Sequence, residues 1–546
     1  MALSPNAVCG SCAMPLMQGH HNSLRFVRML QRRLESSGLR TTPVVVSSRG
    51  YEEAVSQLNK LQSNVQAIEE SVKLRQTTAP LTYTKCSNYL HALGIEQKQL
   101  TAMRVVHVSG TKGKGSTCAY TESILRSYGY KTGFYSSPHL VAVRERIRIN
   151  GKPISKAIFA KHFWHTFDIL TDFEQRSGEK VPMYFAFLTM MAFRVFMHEK
   201  VHVAVVEVGI GGEYDWTNVV DQPSVVGITS LGLDHTRLLG DTIEQIAWHK
   251  GGIMKFLVPA FTVTQPASAM EVLQKKAIER RCHLYCVPSL HLYDTKETFV
   301  KLGIPGKVQM ENASLAIQLA HFWIKKNDPL RFPHVEWGVT PREDVWNFSY
   351  AETDRTLARP FALPKATMEG LTQCRWPGRC QLLVQGNTSY FLDGAHTLES
   401  MEECARWFVK CHKTASKRYK ILVFHCTGDR NNQTLLSHLG GSEFDCAIFT
   451  PTRTHIESSI SSDNSNFTVN IEKERMKCLD DEQVFLKLVR ERPVQTNVVS
   501  CVAEAVHLIR MISKEKLEKS IKVSALVTGS LHLVGNTLSI IDPDSE

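Results

Sequence analysis

Residues 105–116, with the sequence VVHVSGTKGKGS, decide the fold of the chain around them. They begin with four residues rich in β-branched side chains and continue into a loop with three glycines and two lysines. A helical pattern over residues 117–128 follows. This order of strand, glycine loop and helix predicts a polyphosphate site, because loop N–H groups, the positive helix N-terminus and Lys114 all attract negative charge.

The loop departs from the usual phosphate-loop pattern, G-x-x-x-x-G-K-[ST]. The first glycine of that pattern would fall at Val108, and Gly115 stands where a serine or threonine is expected. Ser116, one position later, is the candidate to reach a metal ion instead. The alternative is a glycine-rich surface turn, which we disfavour because a strand before the loop and a helix after it are the context that a nucleotide site requires.

Length and composition limit the class of protein. A chain of 546 residues with 43% apolar and 21% charged residues is typical of a soluble globular protein with two or three domains. No apolar run reaches the ~18 residues that cross a bilayer, and residues 183–197 predict a buried helix instead. The fourteen cysteines have no repeated spacing, which favours reduced thiols in an intracellular protein.

Residues 1–49 have the composition of a targeting segment. They contain six arginines, no lysine and one acid, Glu35, and so account for +5 of the net charge of +11. With a basic amphipathic pattern over residues 23–34, this predicts a disordered mitochondrial transit peptide, and the alternative is an untargeted leader. Later methionines allow shorter cytosolic forms, so we expect a mitochondrial location, in the matrix or at the inner membrane, and a cytoplasmic one.

Outside residues 1–49, the net charge of the chain is small for its length. A nucleic-acid-binding role would need a basic stripe with interleaved aromatic residues, and none occurs outside the leader. We therefore expect small-molecule substrates and no nucleic-acid partner.

Beyond the loop, short apolar strands alternate with helical patterns, which predicts an α/β fold. Continuous apolar strands indicate a parallel sheet with helices on both faces. The strands predicted for the first unit lie at residues 132–136, 203–208, 225–230 and 260–263. Those predicted for a second α/β unit lie at residues 381–384, 390–392, 421–426, 446–450 and 524–528.

Between these units, a stretch with three prolines and little periodicity predicts a linker. We therefore expect four parts in the chain: a leader (1–49), a nucleotide-binding domain (50–337), a linker (338–370) and a C-terminal α/β domain (371–546).

Polar side chains follow three strands of the first predicted sheet. Ser137, Glu207 and His235 come at or just after strand ends, and ligands of parallel sheets sit beyond the carboxyl ends of the strands. A hydroxyl, a carboxylate and an imidazole beside a phosphate loop predict a Mg²⁺ site. The alternative for Glu207 alone is a buried acid paired with a lysine. For Lys250, the sequence by itself predicts only a solvated charge.

Ten segments together resemble folylpolyglutamate synthases, a family of the Mur ligase superfamily, and most closely its eukaryotic mitochondrial and cytosolic type. The segments are GTKGKGS (110–116), YSSPHL (135–140), RERIRING (144–151), VVEVGIGG (205–212), YDWTN (214–218), LGLDHT (231–236), IAWHKGGIMK (246–255), WPGR (376–379), LDGAHT (392–397) and VTGSLHLVG (527–535). This resemblance implies an N-terminal P-loop-type ATPase domain with a parallel sheet, and a smaller Rossmann-like C-terminal domain.

The resemblance also implies an activity. ATP would phosphorylate the γ-carboxylate of a tetrahydrofolate that already carries glutamate, and the amine of L-glutamate would attack the acyl phosphate. The expected cofactor is Mg²⁺, with room for a monovalent cation such as K⁺, and we expect a monomer. The alternatives are a dihydrofolate synthase, a bifunctional enzyme, or a non-catalytic nucleotide-binding homologue.

The same resemblance assigns roles to residues of both units. The catalytic set would be Lys114, His235, Lys250 and His396, with Lys250 carbamylated and holding a second metal. The metal ligands would be Ser137, Glu207 and His235. ATP would be held by Gly113, Lys114, Gly115, Ser116, Asn312, Arg379 and Asp393. The weaker candidates for the glutamate pocket are Ser530 and His532.

Overall fold

The computed structural model describes residues 49–62, 79–296, 300–339, 356–412, 418–426, 432–456, 463, 471–489 and 493–543. All of the predicted leader except Arg49 lies outside these residues, as does the predicted amphipathic helix over residues 23–34. In the described part of the chain, no helix combines the length and the apolar character needed to cross a membrane.

The first sheet has nine strands among the described residues, in the order β4-β3-β2-β5-β1-β6-β7-β8-β9. The β2–β3 and β3–β4 pairs are antiparallel and the other pairs are parallel. The strands are β1 (Val106–Ser109), β2 (Thr132–Tyr135), β3 (Ile147–Ile149), β4 (Lys152–Pro153), β5 (Val203–Glu207), β6 (Val225–Ile228), β7 (Ala260–Thr262), β8 (Leu284–Cys286) and β9 (Thr356–Leu357). The predicted parallel sheet is confirmed, with four further strands on its edges.

Helices cover both faces of this sheet. The helices are α1 (Tyr51–Asn59), α2 (Ala79–Ala92), α3 (Gln97–Ala102), α4 (Lys114–Ser127), α5 (Lys156–Ser177), α6 (Tyr184–His198), α7 (Thr236–Leu239), α8 (Ile243–Gly251), α9 (Ala267–Glu279), α10 (Gln309–Asn327) and α11 (Lys365–Gln373). Helices α4 and α10 share one apolar core with β1, whereas α1, α2 and α6 pack in another on the opposite face. Helix α6 is the predicted buried helix, and most of its side chains are buried.

The register of the central strands brings their carboxyl ends together. Val108 of β1 lies beside Glu207 of β5, and Ser109 lies beside Ile228 of β6. On the other side of β5, Tyr135 of β2 pairs with Val206. The segments that follow β1, β2, β5 and β6 therefore emerge at one edge of the sheet.

The second sheet has six strands among the described residues, in the order β10-β11-β15-β12-β13-β14, and only the β10–β11 pair is antiparallel. The strands are β10 (Gln381–Gln385), β11 (Thr388–Asp393), β12 (Tyr419–Phe424), β13 (Cys446–Phe449), β14 (Gln495–Val498) and β15 (Val523–Thr528). The helices are α12 (Leu398–His412), α13 (Asn432–Ser437), α14 (Ile471–Leu488), α15 (Val502–Glu518) and α16 (Leu531–Ile541). Because β15 lies beside β11, Asp393 is the neighbour of Thr528.

The described part of the predicted linker packs on the first sheet. Strand β9 pairs with β8, and α11 lies against α4, where Ser123 Oγ donates to the Gly370 carbonyl at 2.7 Å. A Cβ on Gly370 would lie 2.6 Å from Ile124 Cα, so glycine permits this close approach. The exact boundary between the two units stays a prediction.

Candidate functional site

The loop between β1 and α4 has its shape set by two glycines with left-handed backbones. Gly110 has a φ of +141° and Gly113 a φ of +88°. A Cβ at Gly110 would meet Thr229 Oγ1 at 1.8 Å, and one at Gly113 would meet Asn312 Oδ1 at 2.1 Å. Any other residue at these positions would strain the backbone and collide with its neighbours.

Two lysines point at one carbonyl inside the loop. Lys114 Nζ donates to the Gly110 carbonyl at 3.0 Å and Lys250 Nζ donates to it at 2.9 Å. Lys250 is only 2% exposed, and burial, reinforced by Lys114, holds its pKa well below the ordinary value. The sequence alone predicted a solvated charge at this position, and that prediction is wrong because α8 directs the side chain into the sheet edge.

Glu207 ends β5 at the floor of the site. Its side chain is buried, and Oε2 accepts the backbone N–H of Ser137 at 3.3 Å. Burial raises the pKa of Glu207 to about 7, although Lys114 acts in the opposite direction. Among the described residues it forms no ion pair within 4.0 Å. The interpretation of Glu207 as a lysine-paired structural acid is therefore not supported, and the carboxylate is open to a ligand.

His235 lies on the segment after β6. It has a φ of +52°, begins the short helix α7, and donates its backbone N–H to Asp234 Oδ1 at 3.0 Å. The charges of Lys112, Lys114 and Lys250 all act on its imidazole. The structure thus brings Ser137 to Glu207 and sets His235 among the loop lysines.

Lys112, His396 and Asp234 meet beside the loop. Lys112 Nζ lies 3.0 Å from Asp234 Oδ2 and 3.5 Å from His396 Nε2. Nδ1 of His396 donates to the Gly394 carbonyl at 2.9 Å, which leaves Nε2 as the acceptor. Burial alone would raise the pKa of Asp234, but the charges of Lys112 and His235 outweigh it and hold that pKa well below its ordinary value.

Asp393 at the end of β11 joins two turns of the second unit. Its Oδ2 accepts the N–H of Cys380 at 2.7 Å and its Oδ1 accepts the N–H of Ala395 at 2.9 Å. The Gly394 N–H donates to the Gly378 carbonyl at 3.1 Å. These bonds hold the turn that carries Arg379 against the turn that carries His396.

A cleft lies between the two units. Gly115, Ser137 and Glu207 line it from the first unit, and Trp376, Arg379 and Leu531 contribute from the segment before β10 onwards. The charge of Arg379 acts on Glu207 across this cleft. The cleft thus joins the phosphate loop to the second unit.

The remaining predicted residues make contacts within their own units. Asn312 is buried and donates from Nδ2 to Gln309 Oε1 at 3.0 Å while it packs on Gly113. Ser116 is buried in the first turn of α4. Ser530 caps α16 by accepting the N–H of His532 at 3.2 Å, and His532 itself is exposed.

Several contacts in the site were missed at the level of sequence. Leu140 leaves the first unit and packs in the apolar core of the second. Glu145 fixes this segment by accepting the backbone N–H groups of residues 140–142 at 3.1, 2.9 and 2.7 Å. Arg148 lines the cleft and lies 5.3 Å from the ring of Trp376. The available signal was that Leu140, Glu145 and Arg148 fall inside two of the matching motifs.

A lysine-bearing glycine loop at the end of one parallel sheet, facing a second parallel sheet across a polar cleft, is the arrangement of a two-domain ATP-dependent ligase. Comparison with known proteins identifies the family within this class. The chain is 40% identical over 553 residues to the mitochondrial folylpolyglutamate synthase of Cricetulus griseus, covering 90% of this chain and 92% of that protein. The human mitochondrial folylpolyglutamate synthase is 40% identical over 565 residues, covering 93% and 94%.

Solved structures agree in fold. The Mycobacterium tuberculosis folylpolyglutamate synthase complexed with ADP and AMPPCP is 21% identical and has a TM-score of 0.64, covering 88% of this chain and 100% of that one. No protein-family model matches the chain. On the extent of its similarity to the hamster and human proteins, the chain belongs to the folylpolyglutamate synthase family.

Proposed function

We propose that this chain adds L-glutamate to the γ-carboxylate of a tetrahydrofolyl-(poly)glutamate and converts ATP to ADP and phosphate. The observation that carries the proposal is a single cleft in which the lysine-bearing loop, the buried Glu207 and Arg379 of the second unit face one another. A carboxylate is a poor electrophile until it is phosphorylated, and such a cleft can bring a nucleotide and an acyl acceptor together.

The phosphate groups of ATP would be held by Gly113, Lys114, Gly115 and Ser116. In support of this, the loop N–H groups precede a 14-residue helix whose positive end attracts anions. Lys114 would leave the Gly110 carbonyl for a phosphate oxygen. Asn312 would contribute to nucleotide binding by fixing the position of Gly113.

Mg²⁺ fits the residues at the floor of the cleft. Glu207 is a buried carboxylate without an ion-pair partner among the described residues, and a cation would stabilise its charged form. Ser137 and His235 would complete the protein ligands. The described residues contain no cluster of three or more His, Cys, Asp or Glu that could hold a metal, so substrate oxygens and water would supply the rest. The ion would neutralise phosphate charge. A K⁺ ion stays an additional prediction.

Lys250 would act as a carbamate. Burial lowers the pKa of its ammonium group, which favours the neutral amine, and the neutral amine is the form that reacts with CO₂. The neutral nitrogen would bond to the CO₂ carbon with loss of one proton, and the resulting carbamate anion could hold a second metal. Lys112 and Lys114 would then lie near a negative group.

The second unit would complete the site. Arg379 and Asp393 would hold ATP, the former by its charge and the latter by fixing the turn that carries Arg379. His396 would meet the transferred phosphoryl group beside the loop. Ser530 and His532 would contribute to the glutamate pocket at the N-terminus of α16. A site that is built from groups of both units would shield the acyl phosphate from water.

We further propose a mitochondrial and cytoplasmic monomer without a nucleic-acid partner. The mitochondrial names of the hamster and human relatives support the first location. Deleting residues 1–49 should leave catalysis unchanged and abolish mitochondrial import. An unchanged distribution in cells would contradict the targeting role of the leader.

The test is a product analysis with ATP, labelled L-glutamate and either tetrahydrofolate monoglutamate or dihydropteroate. A ladder of polyglutamates from the folate alone is expected. Product from dihydropteroate would instead indicate a dihydrofolate synthase or a bifunctional enzyme. Lys114→Ala and His235→Ala should each abolish glutamate-dependent phosphate release without unfolding the protein, and retained activity would overturn the phosphate and metal assignments.

A further inference from the structure

Three lysines surround the phosphate loop, and they do not face the same way. Lys114 and Lys250 both donate to the carbonyl of Gly110, so their ammonium groups converge on the inner side of the loop. Lys112 is turned away from that carbonyl, and its ammonium lies between Asp234 and His396. Since His396 belongs to the second unit, Lys112 is the loop lysine that faces the opposite wall.

The position of Lys112 is built into the first unit. The N–H groups of Thr111 and Lys112 both donate to the Ser230 carbonyl, at 3.0 and 3.1 Å. Thr111 Oγ1 donates to the Gly232 carbonyl at 3.1 Å. These bonds tie the loop to the segment that carries Asp234, so the Lys112–Asp234 pair is set by the backbone.

Folding does not explain this pair. The Lys112 side chain is 36% exposed and the Asp234 side chain 20% exposed. Ion pairs that are this accessible to water and salt add little to stability. A lysine that is held by an acid and directed at His396 of the second unit instead places a fixed positive charge at the boundary between the two units.

We propose that Lys112 is a further catalytic residue, which binds the phosphoryl group after it has left ADP. The inference rests on the proposed ligase function. In the first step the bond from the γ-phosphorus to the bridging oxygen of ADP breaks as a bond to an oxygen of the folate γ-carboxylate forms. The phosphoryl oxygens thereby move from the side of Lys114 toward the acceptor, between the two units, where Lys112 and His396 meet.

In this position Lys112 stabilises the acyl phosphate until the second step. The glutamate nitrogen then bonds to the acyl carbon, the carbon–oxygen bond to phosphate breaks, and the proton of the amine passes to water. A fixed positive charge at the place where negative charge accumulates is a large source of rate enhancement. Asp234 keeps the ammonium in place, and its own charge limits how tightly the product phosphate is held.

The test compares Lys112→Gln and Lys112→Arg with a matched control, Lys131→Gln. Lys131 forms an ion pair of similar length with Glu199, 2.9 Å, its side chain is 34% exposed, and it lies outside the cleft. ADP and glutamylated folate are measured in one time course with ATP, tetrahydrofolate monoglutamate and L-glutamate, together with the thermal unfolding midpoint of each variant.

For Lys112→Gln we expect kcat for glutamylated product to fall about 100-fold. The KM for ATP should change less than about threefold, because Lys114 still binds the nucleotide. More than one ADP should form per glutamate added, since an unprotected acyl phosphate hydrolyses. Lys112→Arg keeps the charge and should restore the one-to-one ratio. The unfolding midpoint should match that of Lys131→Gln.

Three results would overturn the proposal. These are a kcat within about threefold of the control, a fall in kcat with one ADP per glutamate, and a loss of thermal stability that the control lacks. If the unmodified protein forms no glutamylated folate, the ligase function itself fails, which is a separate outcome.

Discussion

Two buried carboxylates lie at strand ends, one in each sheet, and their surroundings differ. Asp393 at the end of β11 is 7% exposed and accepts two backbone N–H groups at 2.7 and 2.9 Å. Glu207 at the end of β5 is 5% exposed and accepts one N–H at 3.3 Å. The acid in the second unit is used by its own fold, whereas the acid in the first unit has fewer backbone partners, as the proposed metal site requires.

This difference shows why the position of an acid at the end of a strand does not by itself indicate whether its role is structural or ligand-binding. A carboxylate that satisfies backbone donors holds two turns together, and its removal leaves those donors buried without partners. Burial raises the pKa of both carboxyls, to about 7 for Glu207, so the contrast between them rests on the number of backbone N–H groups that each accepts.

The largest expected effect separates activity from stability. Glu207→Gln should lower kcat for glutamate-dependent phosphate release by about 1,000-fold, because it removes the charge at the floor of the cleft. The thermal unfolding midpoint should not fall, since glutamine preserves the acceptor for Ser137. The control is Glu199→Gln, which removes a half-buried acid outside the cleft. If the Glu207→Gln protein were destabilised but active, Glu207 would be a structural carboxylate, and its contrast with Asp393 would be wrong.

The next effect is the pH dependence of stability in the presence of a chelator. The pKa of Glu207 rises from 4.5 in the unfolded chain to about 7 in the folded protein. Between these values the unfolded chain loses its proton first, so the free energy of unfolding should fall by about 3 kcal/mol as pH rises from 4.5 to 7. Urea unfolding of the unmodified protein and of Glu207→Gln at several pH values measures this difference. Parallel pH profiles for the two proteins would show that Glu207 does not titrate in this range.

The smallest effect concerns the second unit. Asp393→Ala should lower the free energy of unfolding by about 2 kcal/mol, because the N–H groups of Cys380 and Ala395 lose their acceptor. Asp393→Asn, which keeps one acceptor oxygen, should lose less. Urea unfolding provides the measurement. Equal stability of the alanine variant and the unmodified protein would mean that Asp393 is as little used by the fold as Glu207.

The central part of the first sheet could be predicted from sequence because its signals are local. Continuous apolar strands, two left-handed glycines and the helix after them lie within a few residues of one another, and the parallel order then brings Ser137 to Glu207. Strands β3, β4, β8 and β9 were not predicted, since they have two or three residues each and little alternation.

The contacts between the units could not be predicted in the same way. Lys112 lies 284 residues from His396 in the chain, and no local pattern indicates that they meet. The burial of Lys250 depends on how α8 packs against β1, where Ser109 Oγ donates to its carbonyl at 2.8 Å. The packing of residues 356–370 on the first unit was not predicted, because prolines indicate irregular backbone but not whether it packs.

Leu140 has a consequence for any chimera built from two relatives. Its backbone carbonyl would lie 2.0 Å from a Cβ at Gly535, so the backbone of the first unit at this residue and the bare helix surface of the second unit form a matched pair. Exchanging the C-terminal half alone would separate that pair and leave a gap or a collision beneath α16. A functional hybrid must transplant residues 140–145 together with the half that receives them.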